Sequence, residues 1–256
     1  MPNPRWTHDR KLSKECLGIV GVDEAGRGCL AGPVLAGAVI IPTAFFRETR
    51  NRKATAEIND SKQFDEPKRE DLYRLVMELA EEKKIFTGIG RASVEEIEKQ
   101  NIVGATCMAM KRAMYDASES SVKLWKPNEK STHTLFQPRL ENKNRWAVLV
   151  DGKPMKKLPY EHSGLVKGDT KSLAIAMASM LAKVTRDRYM RKLHKKFPEF
   201  GFDSNKGYGA QVHLKALHNH GPTEHHRPRF LRNILPTHHT ESANSDEVEQ
   251  SQLSLF

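Results

Sequence analysis

Leu17-Gly18-Ile19-Val20-Gly21-Val22-Asp23 is a short apolar run that ends in an acid, and the turn-like Ala25-Gly26-Arg27-Gly28 separates it from a second apolar run at residues 34–41. Two β-rich runs around a glycine turn predict a hairpin of buried strands. Moving outward, residues 85–92 and 146–150 read as further strands, the second again ending in an acid, Asp151, followed by Gly152. Residues 67–84 carry Leu72, Leu75, Val76, Leu79 and Ala80 at helical spacing, with Pro67 suited to a first turn. Ser93 and Glu96 fit a capping box that opens a short helix, and a second helix follows over residues 102–117. Residues 172–196 predict a long helix with Ala176, Met180 and Val184 on one face, and residues 211–218 a shorter one. Several strands first and helices afterwards predict an α/β domain with a C-terminal helical extension.

A chain of 256 residues can bury a core without disulfides or a structural metal. Lys and Arg number 42 against 32 Asp and Glu, a formal charge of +10 that favours polyanionic partners such as nucleic acid. Residues 237–256 contain no Lys or Arg and four acids, which leaves the body at +14 and sets the tail apart. Its composition predicts a disordered arm. Residues 126–144 are polar and aperiodic and predict a long surface loop. Cys16, Cys29 and Cys107 form no CxxC pair, which argues against a disulfide framework or a thiolate zinc site and fits a reducing cytoplasm. The longest apolar run, residues 29–41, contains Pro33 and is too short to span a bilayer, and residues 1–14 lack the apolar stretch of a signal peptide. A soluble cytoplasmic protein is expected.

Four acids stand out by position. Asp23 and Glu24 follow one apolar run, Asp151 ends another, and Asp169 precedes the long helix in Val166-Lys167-Gly168-Asp169. An acid at the end of a buried strand costs desolvation energy unless a cation or hydrogen-bond donors compensate it. Acids converging from several strands suggest a cation site, and oxygen-only ligands select Mg²⁺ or Mn²⁺ over Zn²⁺. Two such ions can activate a water and stabilise the leaving oxygen of a phosphodiester, while the basic body holds the polyanion. The competing reading is that each acid is a cap or turn former. Adjacent strand residues also point to opposite faces, so Asp23 and Glu24 share a site only if the chain bends at Ala25-Gly26.

Gly21-Val22-Asp23-Glu24-Ala25-Gly26-Arg27-Gly28 resembles the signature of the ribonuclease HII family. The resemblance continues in order through Asn59-Asp60-Ser61-Lys62, Asp151-Gly152, Lys167-Gly168-Asp169, the segment from Ala178 to Asp187, Lys206-Gly207-Tyr208 and Thr223-Glu224-His225-His226-Arg227. It implies an RNase H-like mixed β-sheet flanked by helices. It also implies endonucleolytic cleavage of RNA in RNA–DNA hybrids and on the 5′ side of single ribonucleotides in duplex DNA, leaving 3′-hydroxyl and 5′-phosphate ends. The family's metal-binding acids map onto Asp23, Glu24, Asp151 and Asp169, with two Mn²⁺ or Mg²⁺ ions. Asp187 is the rival for the fourth ligand. The family's Gly-Arg-Gly turn maps onto Gly26, Arg27 and Gly28, its junction-sensing tyrosine onto Tyr208, and lysines near the backbone phosphates onto Lys62 and Lys183. The expected division is an N-terminal extension at 1–16, a catalytic domain at 17–195, a helical extension at 196–236 and a tail at 237–256.

His218, His220, His225 and His226 crowd together without cysteine and at irregular spacing, which disfavours zinc; the Glu224-His225-His226-Arg227 stretch matches the family and is expected to brace the active-site region or meet phosphate. The chain ends in Gln252-Leu253-Ser254-Leu255-Phe256, which resembles the peptide with which bacterial proteins engage the β sliding clamp. A tethered peptide of this kind raises the local concentration of an enzyme at its partner. The alternatives are a non-catalytic nucleic-acid-binding adaptor recruited by that peptide and a related DNA-directed nuclease.

Overall fold

The computed structural model describes residues 3–127, 145–232 and 234, with the Lys62 side chain excluded. Most of the expected loop at 126–144, and the tail with its terminal peptide, lie outside the described residues. A mixed sheet is formed by β1 (Gly18–Ala25), β2 (Val34–Pro42), β3 (Phe86–Ala92), β4 (Trp146–Asp151) and β5 (Ser163–Leu165), in the order β3-β2-β1-β4-β5. The first three strands form an antiparallel meander, and β4 and β5 add in parallel beyond β1. Helices α1 (Pro4–Leu12), α2 (Thr49–Ala54), α3 (Glu66–Glu81), α4 (Val94–Ser120), α5 (Gly168–Lys171), α6 (Leu173–His194), α7 (Phe202–Asn205), α8 (Gln211–His220) and α9 (Pro228–Leu231) complete the fold.

Alternation along β1 decides which helix covers which face. Ile19 belongs to the core beneath α6, with Val39, Ile41, Leu149 and Trp6. Val20 and Val22 belong to the core beneath α4, with Ala36, Ala38, Ile40 and Val150. Glycines in the sheet let the α6 backbone lie close: a Cβ on Gly21 would sit 2.4 Å from the Ala174 carbonyl oxygen, and one on Gly37 2.4 Å from that of Ala178. On this crowded face the first half of α6 is buried nearly all round.

The capping box at the start of α4 is present, with Glu96 N–H donating to Ser93 Oγ at 3.2 Å and Ser93 N–H to Glu96 Oε2 at 2.9 Å. The two helices read from the sequence are continuous in outline but broken at Asn101, whose φ is 56° and whose Oδ1 caps the second stretch by accepting from Val103 and Gly104. A third core, built from Leu30, Ala31, Met190, Leu193, Phe200, Phe202, Leu217 and Leu231, fastens α7–α9 onto the end of α6 and onto the loop after β1. Residues 4–12, read from the sequence as an extension, form α1 and bury Trp6 against Phe45 and Phe46 at 5.1–5.6 Å between ring centroids. That burial contributes roughly 3 kcal/mol.

Candidate active site

The parallel pairing of β1 with β4 aligns Val22 with Val150, so Asp23 and Asp151 follow side by side at the ends of adjacent strands. Asp23 is 4% exposed and faces α6, where it hydrogen-bonds Ser179, and its Oδ1 accepts from the Glu24 amide at 2.7 Å. Burial, followed by repulsion from Glu24 and Asp151, raises its pKa well above the usual carboxylate range. The Glu24 pKa is raised chiefly by burial, against the Arg27 guanidinium 3.0 Å away. Asp151 Oδ1 accepts from Gly168 N–H at 2.6 Å, which ties the end of β4 to α5, where Asp169 is buried. Pairing of β1 runs through Ala25, so Asp23 and Glu24 share the strand end without a break in the ladder. Among the described residues no three His, Cys, Asp or Glu side chains already close into a metal cage.

Beside these acids a cleft of about 420 Å³ is lined by Glu24, Gly26, Arg27, Gly28, Lys183 and Tyr208, together with Ser61, Arg69, Ser179 and Arg186. Five of the expected substrate-binding residues thus meet at one opening; the sixth, Lys62, follows Ser61. Two buried arginines, Arg186 in its lining and Arg227 behind it, hold the backbone that shapes it. Arg186, 1% exposed, donates to the carbonyls of Pro33 (3.1 Å), Lys206 (2.8 Å) and Ala31 (3.1 Å). Arg227, fully buried, donates to Gly26 (2.8 Å), Arg27 (2.9 Å) and twice to Gly32 (2.9 and 2.7 Å). Gly26 is required here twice over: its φ is +93°, and a Cβ would lie 2.0 Å from Arg186 Nε. Tyr208 is 48% exposed, follows the left-handed Lys206-Gly207 turn, and hydrogen-bonds Cys29 through its hydroxyl.

Asp187, the rival for the fourth ligand, is paired with two cations that line the cleft, Lys183 and Arg69. It is buried one helical turn beyond Lys183, which donates to it at 2.7 Å, with Arg69 3.9 Å from its other oxygen. Ser61, Arg69, Ser179 and Arg186 line the cleft without having been given a role from the sequence, whereas Arg227 lies in the stretch expected to brace it. Ser61 and Ser179 share a 3.0 Å hydrogen bond that continues the contact of Ser179 with Asp23.

Residues 20–233 match the ribonuclease HII family. The ribonuclease HII of Fusobacterium nucleatum is 40% identical over 239 residues, which cover 93% of this chain and 94% of the relative. The chain belongs to the ribonuclease HII family. Ribonuclease H2 of Pyrococcus horikoshii shares the fold, with a TM-score of 0.58 and 23% identity over 85% of this chain and 96% of that one. So does the ribonuclease HII solved with PCNA from Archaeoglobus fulgidus, with a TM-score of 0.56 and 23% identity over 83% and 95% of the two chains. As a ribonuclease HII the chain is an RNase H endonuclease acting on RNA in RNA–DNA hybrids, and the adaptor alternative falls. Enzymes of the family depend on divalent metal ions. The donor set fits such an ion: oxygen ligands only, with two carboxyls held against ionisation by burial and by acid neighbours, a cost that a hard cation relieves. Among the described residues no helix is long and apolar enough to cross a membrane.

In this ribonuclease HII the histidine-rich segment braces the loop after β1. Gly32 N–H donates to His225 O and Arg227 N–H to Leu30 O, both at 2.8 Å. Behind it lies a directional chain of neutral imidazoles. Thr223 N–H donates to His226 Nδ1 at 3.0 Å, so the His226 proton sits on Nε2, 3.0 Å from His213 Nε2. His213 Nδ1–H then faces the Tyr208 carbonyl at 2.8 Å. Burial and the neighbouring His213 push the His226 pKa down to about 4. A base with its folded pKa below the unfolded value of about 6.5 binds more protons when unfolded. Its contribution is therefore complete above pH 6.5 and lost as pH falls toward 4. Thermal melts of wild type and His226→Gln should differ by more at pH 7 than at pH 4.5. Parallel curves across that window would show that the pair does not govern acid stability.

Proposed function

We propose that this enzyme nicks duplex DNA on the 5′ side of an embedded single ribonucleotide, as well as cutting longer RNA–DNA hybrids, and leaves 3′-hydroxyl and 5′-phosphate ends. The observation that carries the reading is the junction of two features at one cleft: acids at the ends of β1 and β4, and the Gly26–Gly28 turn with Tyr208 opposite. In this reading Asp23, Glu24, Asp151 and Asp169 hold Mn²⁺ or Mg²⁺. Two such ions, when bound, supply an activated water and charge stabilisation at the departing 3′-oxygen.

The protein's own part is to position the strand. Glycine backbone at 26 and 28 lets main-chain groups approach a sugar closely enough to sense a 2′-hydroxyl, the group that separates RNA from DNA. Arg186 and Arg227 occupy the carbonyls of Gly26, Arg27, Ala31, Gly32 and Pro33, which fixes the turn before substrate arrives. The exposed ring of Tyr208 can stack on the deoxyribose next to the ribonucleotide, and its backbone is held by the imidazole chain. Lys183 stands at the cleft wall as a phosphate contact, with Lys62 proposed for the same task. Residues 17–195 are then the catalytic domain and residues 196–236 the extension that delivers Tyr208, while the N-terminal segment 1–16 packs through Trp6 into the core of that domain.

The test is a duplex with one ribonucleotide, assayed with and without Mn²⁺ or Mg²⁺ against an all-DNA control. Metal-dependent nicking of the first alone is expected; equal cutting of both would point to a DNA-directed nuclease. We also propose that Gln252, Leu253, Ser254, Leu255 and Phe256 dock on the bacterial β sliding clamp, consistent with a tail that differs in charge from the body. Deleting residues 252–256 should weaken clamp binding by at least tenfold, a loss of about 1.4 kcal/mol, and leave cleavage of short duplexes unchanged. Unaltered clamp affinity would overturn this assignment.

A further inference from the structure

Helix α1 lines no part of the cleft, yet two of its side chains end on the segment that carries Asp169. Asp9 is fully buried. Its Oδ2 accepts from Ser172 Oγ at 3.0 Å and from Ala174 N–H at 2.9 Å, and its Oδ1 pairs with His8 Nδ1 at 2.7 Å. Ala174 lies in the first turn of α6, where backbone N–H groups lack helical partners and the helix dipole favours an anion. Ser172 is the cap of the same helix and lies three residues beyond Asp169. A carboxylate from α1 therefore seals the joint between α5 and α6.

Arg5 approaches the same joint from the other side. Its Nε donates to the Asp169 carbonyl at 3.1 Å, and its guanidinium lies in the field of both Asp169 and Asp60. Arg5 also donates to Asn3 Oδ1 at 3.1 Å, and Asn3 Nδ2 reaches the carbonyls of Thr55, Ala56 and Ile58 at 3.2–3.3 Å. Those residues lead into Asn59-Asp60-Ser61-Lys62 at the cleft edge. One short helix thus holds two loops that are about a hundred residues apart in sequence, and Trp6 anchors it to the core.

We propose that α1 is a strap that positions the active site: Asp9 and Arg5 fix the Gly168–Lys171 turn so that Asp169 stands where the other three carboxylates can share a metal ion with it. The inference rests on the assignment of Asp169 as a ligand. Both are positioning residues, since neither lines the cleft where substrate and metal would bind. Apart from Pro4, Trp6 and Leu12, α1 is polar, so its attachment runs through these hydrogen bonds as well as through Trp6.

The test uses the full-length enzyme with Asp9→Asn and Arg5→Gln. Mn²⁺ binding to the substrate-free protein is followed by electron paramagnetic resonance, alongside the Mn²⁺ concentration for half-maximal cleavage, the duplex KM and the melting temperature. Asp9→Asn should weaken Mn²⁺ binding and raise the half-activating concentration about tenfold, with KM unchanged and most of kcat recovered at saturating Mn²⁺. Arg5→Gln should shift both in the same direction by about threefold. If Asp9→Asn only melts earlier, with wild-type Mn²⁺ affinity at temperatures where it is folded, α1 is purely structural and the proposal is overturned. Should Asp9→Asn fail to fold, Arg5→Gln decides on the same readouts. Asp169→Asn is the separate control: wild-type Mn²⁺ dependence in that variant would remove the ligand assignment itself.

Discussion

Asp23→Asn is expected to lower kcat by about a thousandfold, equivalent to about 4 kcal/mol of barrier, while the affinity for a ribonucleotide-containing duplex stays within about threefold. The substitution is nearly isosteric. An asparagine Oδ1 still accepts from the Glu24 amide, and its side chain still meets Ser179. What disappears is a negative charge that, in the proposed ligand set, supports metal binding and does nothing to attract a polyanion. The folded protein should benefit from the loss. Folding raises the Asp23 pKa, through burial first and then Glu24 and Asp151, so the ionised carboxyl is a destabilising group at neutral pH. Without metal, the Asn variant should therefore melt above wild type at pH 7–8, with the difference fading as pH falls toward the ordinary carboxylate pKa. Loss of activity together with a gain in metal-free stability is the signature of a charge kept for function. Asp151→Asn should lose activity similarly, because its Oδ1 can still accept from Gly168 while its charge is gone. Full cleavage by either variant would sink the ligand assignment.

Much of this site was legible in the sequence because it breaks a local rule. An acid directly after a buried apolar run is anomalous, and Asp23 and Asp151 both are; the strand register then brings them together. A break before Ile102 was legible as two successive helices, and the structure breaks α4 at Asn101. Three features were not legible, each for a physical reason. The three-residue β5 is too short to carry a period. Helix α1 has no apolar stripe, and its anchoring runs through Asp9, Arg5 and Asn3, polar residues whose partners lie far along the chain. The two buried arginines are indistinguishable by type from the other basic residues of a basic protein. For Arg186 a signal did exist: it lies four residues after Ala182 and four before Met190, so the core face of α6 runs through it. A charged residue on an apolar helical stripe asks for a partner, and here the partners are carbonyls rather than carboxylates. No comparable period surrounds Arg227, which sits in a non-helical connection before α9.

Arg227→Met is expected to have the largest effect on stability of any single change outside the apolar cores. The guanidinium makes four bonds to three carbonyls of the loop that carries Gly26-Arg27-Gly28, and it also lies 5.3 Å from the centre of the Phe230 ring. Burial lowers its pKa to about 10, which leaves it charged at neutral pH. Removing it recovers that burial cost but strands the Arg27 and Gly32 carbonyls and leaves Gly26 only its long 3.4 Å bond from Cys29 N–H, and bonds from a charged donor contribute roughly 1.5–3 kcal/mol each. The net loss should be about 4 kcal/mol, a fall in melting temperature of about 12 °C for a domain of this size. Methionine restores volume and apolar contact with Phe230, so a cavity is not the cause. Arg227→Lys separates charge from geometry: one ammonium can serve one or two of the carbonyls, and an intermediate loss is expected. Kinetics should follow the same order. At a temperature where both variants are folded, KM for the ribonucleotide-containing duplex should rise more in Met than in Lys, because the turn proposed to meet the 2′-hydroxyl is no longer held in advance. If the Met variant melted within about 2 °C of wild type, with an unchanged KM, the loop would be held by something other than Arg227.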